Sequence, residues 1–200
     1  MIRTLLLSVA ALLALSAAAI AEPVIGAPAP AFTAVDSNGK SHALADFKGK
    51  TVVLEWTNDG CPYVKKHYGA GNMQKLQQEI TKAGGVWLSI ISSAPGKQGY
   101  VDGAGANKLT ASRGAAPSAV LLDPTGVVGK AYEAKTTPHM FVIDNTGVLR
   151  YMGAIDDQPS TDASTIESAR NYVREAFNAV AAGRKVAETA TDSYGCSVKY

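Results

Sequence analysis

The apolar positions of this chain of 200 residues fall into two alternating patterns. Short continuous runs, Thr51–Trp56, Val86–Ile91, Ala119–Leu122 and His139–Ile143, have the length and β-branched content of strands buried on both faces. Between them the apolar residues are spaced by three and four. Met73, Leu76 and Ile80 share one face of a predicted helix over Met73–Lys82, which Gly84-Gly85 ends. Short helices are expected over Asn107–Arg113 and Val127–Tyr132. Ile166, Ala169, Val173, Ala176, Phe177 and Val180 predict an amphipathic helix from Thr165 to Ala182, stopped by Gly183.

Turn chemistry joins these elements. Asp36-Ser37-Asn38-Gly39-Lys40, between Phe32–Val35 and Ser41–Ala43, predicts a short β-hairpin near the start of the domain, and Asp144-Asn145-Thr146-Gly147 predicts a second hairpin from His139–Ile143 into Val148–Met152. Ser92–Gly105 contains four glycines and a proline and reads as a long surface loop. Strands alternating with helices, closed by a hairpin and a helix, point to an α/β or α+β sandwich with a mixed sheet. The segment from Arg184 to Tyr200 is polar until Tyr194-Gly195-Cys196-Ser197-Val198-Lys199-Tyr200. A tail that ends in Gly-Cys and aromatic residues is expected to be docked on the domain.

The first residues change the picture of compartment. Arg3, the apolar run Leu5–Leu15 and the small residues Ala19 and Ala21 form a secretory signal pattern with cleavage expected after Ala21. At about a dozen residues the run is short of the roughly 20 that a membrane span needs. The organisation expected is therefore a signal peptide over 1–21, one domain over 22–183 and a tail over 184–200, in a periplasmic or secreted protein with no membrane attachment after cleavage. Lys and Arg number 19, one of them Arg3, against 17 Asp and Glu. With the charges scattered, neither a nucleic-acid surface nor a membrane-binding face is indicated.

The chemistry centres on Thr51–Tyr68. A buried strand stops, and Gly60-Cys61-Pro62 opens into a helical segment. A cysteine at that hinge faces free backbone N–H groups and the positive end of the helix dipole, both of which favour thiolate. Pro62 suits the first helical position. The alternative is a cysteine that is only a small buried apolar residue. Cys196 is the one other cysteine, and an even count in an oxidising compartment favours pairing, either as a permanent staple or as a redox couple. Lys65 lies one turn along the helix from Cys61, where its charge would favour thiolate further. His67 is a weaker candidate for a general base. Glu55, inside a buried strand behind the cysteine, needs a partner or a role. Two cysteines this far apart and three histidines lack zinc-ligand spacing, and no cofactor or metal is expected.

Taken together, the strand, the Cys-Pro at a helix start, Thr137-Pro138 ahead of Phe141-Val142-Ile143-Asp144 and the following glycine turn resemble the thioredoxin fold. Gly26-Ala27-Pro28-Ala29-Pro30-Ala31-Phe32 and Asp46-Phe47-Lys48-Gly49-Lys50 are similar to its redoxin branch, the alkyl hydroperoxide reductase and thiol-specific antioxidant superfamily, which includes peroxiredoxins and exported thiol-disulfide reductases. The resemblance runs from about Gly26 to Gly153. It implies a thioredoxin-like central mixed sheet flanked by helices, a cis Thr137–Pro138 bond beside Cys61, and Cys61 as nucleophile. Glu55 then resembles, in role, the buried acid that assists proton transfer in thioredoxins. Cys196 becomes a candidate resolving thiol, as C-terminal cysteines are in some peroxiredoxins. The implied substrate is a peroxide or a protein disulfide, with an external thiol as reductant.

The departures are specific. Val64 stands where thioredoxins carry their second cysteine. Asn58 stands three residues before Cys61, where peroxiredoxins place Thr or Ser, and Pro138 stands where their arginine is expected. Thr57, Asn58 and Lys65 are the substitute donors in reach by sequence. A peroxiredoxin-like antioxidant leads narrowly over a disulfide reductase. The alternative from another class is a non-catalytic thioredoxin-fold binding or chaperone module with a structural Cys61–Cys196 disulfide.

Overall fold

The computed structural model describes residues 22–200; the predicted signal segment lies outside them. Among the described residues nine strands and five α-helices build the fold. In chain order they are β1 (Thr33–Asp36), β2 (Ser41–Ala43), β3 (Val52–Trp56), α1 (Pro62–Gly69), α2 (Asn72–Lys82), β4 (Val86–Ile91), α3 (Gly103–Ser112) and β5 (Ala119–Leu122). Then follow α4 (Val127–Ala131), β6 (Thr136–Thr137), β7 (His139–Ile143), β8 (Leu149–Gly153), α5 (Tyr172–Ala181) and β9 (Cys196–Ser197). Seven strands form one mixed sheet in the order β2-β1-β5-β4-β3-β7-β8, and β6 and β9 form a separate two-stranded ribbon.

β3 is the axis of the sheet. It runs parallel to β4, with Val53 opposite Trp87 and Glu55 opposite Ser89, and antiparallel to β7, with Trp56 opposite His139. Every residue of β3 is buried, as its continuous β-branched and apolar run requires of a central strand. Alternation splits the strand between two cores. Val52, Leu54 and Trp56 join Phe32, Leu88, Ile90, Tyr132 and Phe141 on one face. On the other, Val53 packs with Met73, Leu76 and Ile80 of α2 and with Val173 and Phe177 of α5. The thiol of Cys61 belongs to this second core.

The structure has the mixed sheet flanked by helices and the hairpin near the domain start that the sequence predicts. Three boundaries differ. The loop expected over Ser92–Gly105 ends early, because Asp102 accepts a bond from Gly105 N–H at 2.8 Å and caps a helix that starts at Gly103. The helix expected from Thr165 begins at Tyr172. Asn171 caps it by accepting from Arg174 N–H at 2.9 Å, and 163–166 is a separate 3-10 turn. The last element is a strand, β9, that follows the terminal helix.

The tail is docked along its length. Met152 N–H donates to Thr189 and Thr191 N–H to the Met152 carbonyl, both at 3.1 Å, so the tail runs beside the β8 edge. Thr191 Oγ1 then accepts from Ala154 N–H at 2.9 Å and shares a bond with the Tyr151 hydroxyl. Farther on, Val198 N–H reaches Lys135 O at 3.0 Å, and Ala94 N–H reaches Lys199 O at 2.7 Å. The Tyr200 hydroxyl donates to Ala134 O at 2.8 Å. No helix among the described residues is long and apolar enough to cross a membrane.

Candidate functional site

Cys61 is the N-cap of α1, with extended backbone, and Pro62 occupies the first helical position. The turn that presents it is built by Asn58, whose side chain accepts from Gly60 N–H at 2.8 Å and whose carbonyl accepts from Cys61 N–H at 3.1 Å. The same side chain donates to Gln98 O at 3.0 Å, clasping the loop after β4 over the turn. At the end of β3, then, a short-range hydrogen-bonded turn converts the strand into a helix, and the cysteine sits where the two meet.

The facing wall is the loop before β7. Thr137–Pro138 is a cis peptide bond. The Thr137 carbonyl accepts from the Cys61 thiol at 3.0 Å. β9 lies against this loop, with Cys196 opposite Thr137 and Ser197 opposite Thr136. Thr137 Oγ1 donates to Cys196 O at 3.4 Å. Cys61 and Cys196, remote in sequence, are both free thiols packed in one cluster. Cys61 is fully buried, and Cys196 is partly exposed.

The two thiols are electrostatically unequal. Burial alone would push the Cys61 thiol up. It is outweighed by hydrogen bonds from the Cys196 thiol, the Val64 N–H, Thr137 and the Cys196 N–H, and the net effect lowers the Cys61 pKa from its ordinary value. Cys196 moves the other way, to about 11, through burial first and then its bond to Cys61 and the charge there. Of the two thiols, Cys61 at the helix N-terminus is thus the more readily ionised and Cys196 the less.

Tyr194 and Asp156 hold the tail at this point; the sequence marks Tyr194 only as part of a docked end and does not mark Asp156. The Tyr194 hydroxyl makes a short hydrogen bond to Asp156 Oδ1 and lies 3.3 Å from His67 Nε2. Its ring packs on Tyr63 at 5.7 Å between centroids, and Lys66 Nζ lies 5.9 Å from the ring centroid. Lys66 is buried and donates to Gln158 O at 2.9 Å. The signal of Tyr194 was the Tyr-Gly-Cys sequence itself, which marks an anchored end without saying where it docks.

The other predicted residues are placed as follows. His67 is fully buried between Tyr194 and Asn72 Nδ2. Burial, with Lys66 adding to it and Asp156 opposing, lowers its pKa to about 4. It is a neutral anchor for the tail, with no hydrogen bond to Cys61. Lys65 is exposed. Glu55 is fully buried and accepts from Tyr68 OH at 2.9 Å, Trp87 Nε1 at 2.8 Å and Ser89 Oγ at 2.7 Å, with Gln77 Nε2 at 3.4 Å. All of these partners belong to the scaffold, and none is the thiol. Thr57 Oγ1 is buried with no hydrogen-bond partner among the described residues. Arg113 is paired with Asp59 and stacked over Tyr68, and Arg150 is paired with Asp144. Among the described residues no group of three or more His, Cys, Asp or Glu side chains is arranged to hold a metal.

Comparison with known proteins bears on the family and the fold. The AhpC/TSA family model matches residues 25–152, from the entry segment through β8. An uncharacterized conserved protein from Geobacillus kaustophilus is 26% identical, with a TM-score of 0.75 over 88% of this chain and 92% of its own. A hypothetical protein from Sinorhizobium meliloti 1021 is 24% identical, with the same TM-score, over 88% of this chain and 94% of its own. The thioredoxin domain of a thiol-disulfide oxidoreductase from Bacteroides vulgatus is 21% identical, with a TM-score of 0.52, over 72% of this chain and 96% of that domain. These likenesses establish the thioredoxin fold. No curated protein matches the chain.

Proposed function

Since the chain belongs to the AhpC/TSA family, we propose that it is a thiol-dependent oxidoreductase in which Cys61 and Cys196 form one redox couple, working by thiol-disulfide exchange. The observation that carries this reading is the pairing of β9 with β6, which lays Cys196 opposite Thr137, the residue whose carbonyl accepts from the Cys61 thiol. Cys61 thiolate attacks one sulfur of a substrate disulfide, forming a mixed disulfide and expelling the other sulfur as a thiolate that takes a proton. Cys196, once deprotonated, attacks the Cys61 sulfur and expels the second substrate thiolate. The substrate is reduced by two electrons, and the Cys61–Cys196 disulfide holds the oxidation until an external thiol reverses it.

The site favours disulfides over peroxides as substrate, a shift from the narrow lead that the sequence gives to a peroxidase. A peroxide needs donors aimed at it beside the thiolate. Asn58 is spent on the turn and on Gln98, Arg113 and Arg150 are spent on Asp59 and Asp144, and Lys65 is exposed to solvent, which leaves Thr57 Oγ1 as the one buried donor without a partner among the described residues. Glu55 serves in this reading as a scaffold acceptor, and Pro138 and Thr137 as the wall that receives the substrate. The signal pattern of residues 1–21 supports action outside the cytoplasm, where disulfide substrates are available.

The test is the Cys61→Ser protein, assayed for reduction of a small aromatic disulfide in the presence of excess dithiol. Activity should fall by at least about a hundredfold, as loss of a nucleophile requires. The couple should titrate above about −300 mV, the range of working rather than structural disulfides. Unchanged turnover by Cys61→Ser would overturn the proposal, and a potential far below that range would return the pair to the role of a staple.

A further inference from the structure

Between the bond from Thr191 N–H to the Met152 carbonyl and the pairing of Cys196 with Thr137, the tail forms one wall of a groove of about 740 Å³. Asp192 lines it from the tail, and Glu133, Lys135, His139 and Met152 line it from the domain. His139 pairs with Trp56 and so faces the first core, whereas Cys61 belongs to the second. The groove is therefore separate from the thiol site.

His139 carries a polar atom for which the fold supplies no partner. The residue is only 7% exposed. Its Nδ1 accepts from Lys135 N–H at 3.2 Å. A backbone amide can only donate, so the proton of the neutral ring sits on Nε2. Burial first, then the Lys135 charge, lowers its pKa to about 4, and the ring stays neutral at neutral pH. The bond from Lys135 is the ring's one hydrogen bond among the described residues, which leaves the Nε2–H unmatched. A donor at that depth needs an acceptor, and the groove is where one can enter.

The rim carries both signs of charge. Lys135, Glu133 and Asp192 are exposed, and none of them joins an ion pair among the described residues. The charge of Lys135 is felt at the His139 ring, so its ammonium and the imidazole N–H together suit a carboxylate. Glu133 and Asp192, from opposite walls, suit an ammonium. Met152, half-buried, offers apolar surface to a side chain.

We propose that this groove binds a small zwitterion, a free amino acid or dipeptide, with its carboxylate on His139 Nε2–H and Lys135 and its ammonium between Glu133 and Asp192, and that occupancy clamps the tail over Cys61. Both walls are in reach of one ligand only while the tail is docked, so binding favours the docked state by its differential affinity. Cys61 has no exposure in that state, and its reaction with outside reagents slows as the groove fills. The proposal concerns access to the sulfur and holds whatever reaction the sulfur performs.

The test uses the reduced full chain. The probes are the standard free amino acids and the dipeptide Ala-Ala, each beside its N-acetyl and its C-terminal amide form. Binding is read by calorimetry, and access to Cys61 by iodoacetamide alkylation with mass mapping of the Cys61 peptide. At least one zwitterion should bind at or below about 10 mM. Blocking either of its charges should weaken binding at least about tenfold, the scale of one charge-assisted hydrogen bond. The His139 Nε2–H proton resonance should move on binding. At about ten times the dissociation constant, Cys61 alkylation should slow at least about threefold. Lys135→Gln and Asp192→Asn, both at exposed positions, should weaken binding, and Asp192→Asn should also remove most of the slowing. No binding by any probe, or equal binding by the blocked forms, would overturn the site. Binding that leaves the alkylation rate unchanged would overturn the clamp.

Discussion

Glu55 is a buried carboxylate whose partners in the structure all belong to the scaffold. A carboxylate on a fully buried central strand needs donors, and Tyr68, Trp87, Ser89 and Gln77 supply them from α1, β4 and α2. Burial first, then the charge on Glu55, holds the Tyr68 hydroxyl well above its ordinary pKa, so it stays a donor. Replacing Glu55 with Gln sets an amide N–H₂ against those donors, and stability in urea should fall by about 1–3 kcal/mol. Alkylation of Cys61 should meanwhile keep its rate within a few-fold, whereas a proton-transfer role would slow it and shift its pH profile. His67 and His139 carry the acid sensitivity. Burial, with a nearby lysine adding to it, lowers each to about 4, below the unfolded value of about 6.5. Between those limits the unfolded chain takes up protons that the native imidazoles refuse. Stability is therefore complete above about pH 6.5 and declines as the pH falls toward about 4. A series of melting temperatures across that window checks this, and the His67→Asn/His139→Asn protein should show a flatter curve.

At the scale of elements, the site is a helix start, a proline loop and a borrowed strand. The helix start was legible from local signals, the buried run and Gly60-Cys61-Pro62, whereas the proline loop was legible only through the resemblance that Thr137-Pro138 helps to carry. The third was legible only as a docked end. Nothing in a linear pattern says that Cys196 lies opposite Thr137, since the register of β9 is set by Tyr194 reaching Asp156 and by Gly195 meeting the Thr137 carbonyl. The start of α3 was misread because Gly103 and Gly105 weigh against a helix, while the Asp102 cap that favours one depends on a single side-chain bond. The late start of α5 has the same kind of cause at Asn171. Because Tyr194 is the anchor, Tyr194→Phe should leave the fold in place and weaken only β9. The loss of its hydroxyl bonds, on the order of 1–3 kcal/mol with Asp156 left buried, should raise the rate of Cys61 alkylation at neutral pH about tenfold.

Across the whole molecule, the two cysteines bracket most of the sheet. A bond between Cys61 and Cys196 closes a loop of about 135 residues, for which chain entropy allows roughly 5 kcal/mol of stabilisation. The oxidised protein should accordingly unfold at higher denaturant than the reduced one, with the Cys196→Ser variant matching the reduced form under both conditions. If oxidised and reduced midpoints coincide, the bond either does not form or strains the native contact by as much as it restrains the unfolded chain.

The strand that completes the site is held to the β8 edge at Thr189 and Thr191, so only the short link over 192–195 tethers Cys196 to the domain it docks on. A tether of that kind presents its end at an effective concentration in the millimolar range. An outside thiol or disulfide at micromolar levels is therefore outnumbered by the chain's own end, and its reaction with Cys61 should rise with its concentration only as it displaces β9.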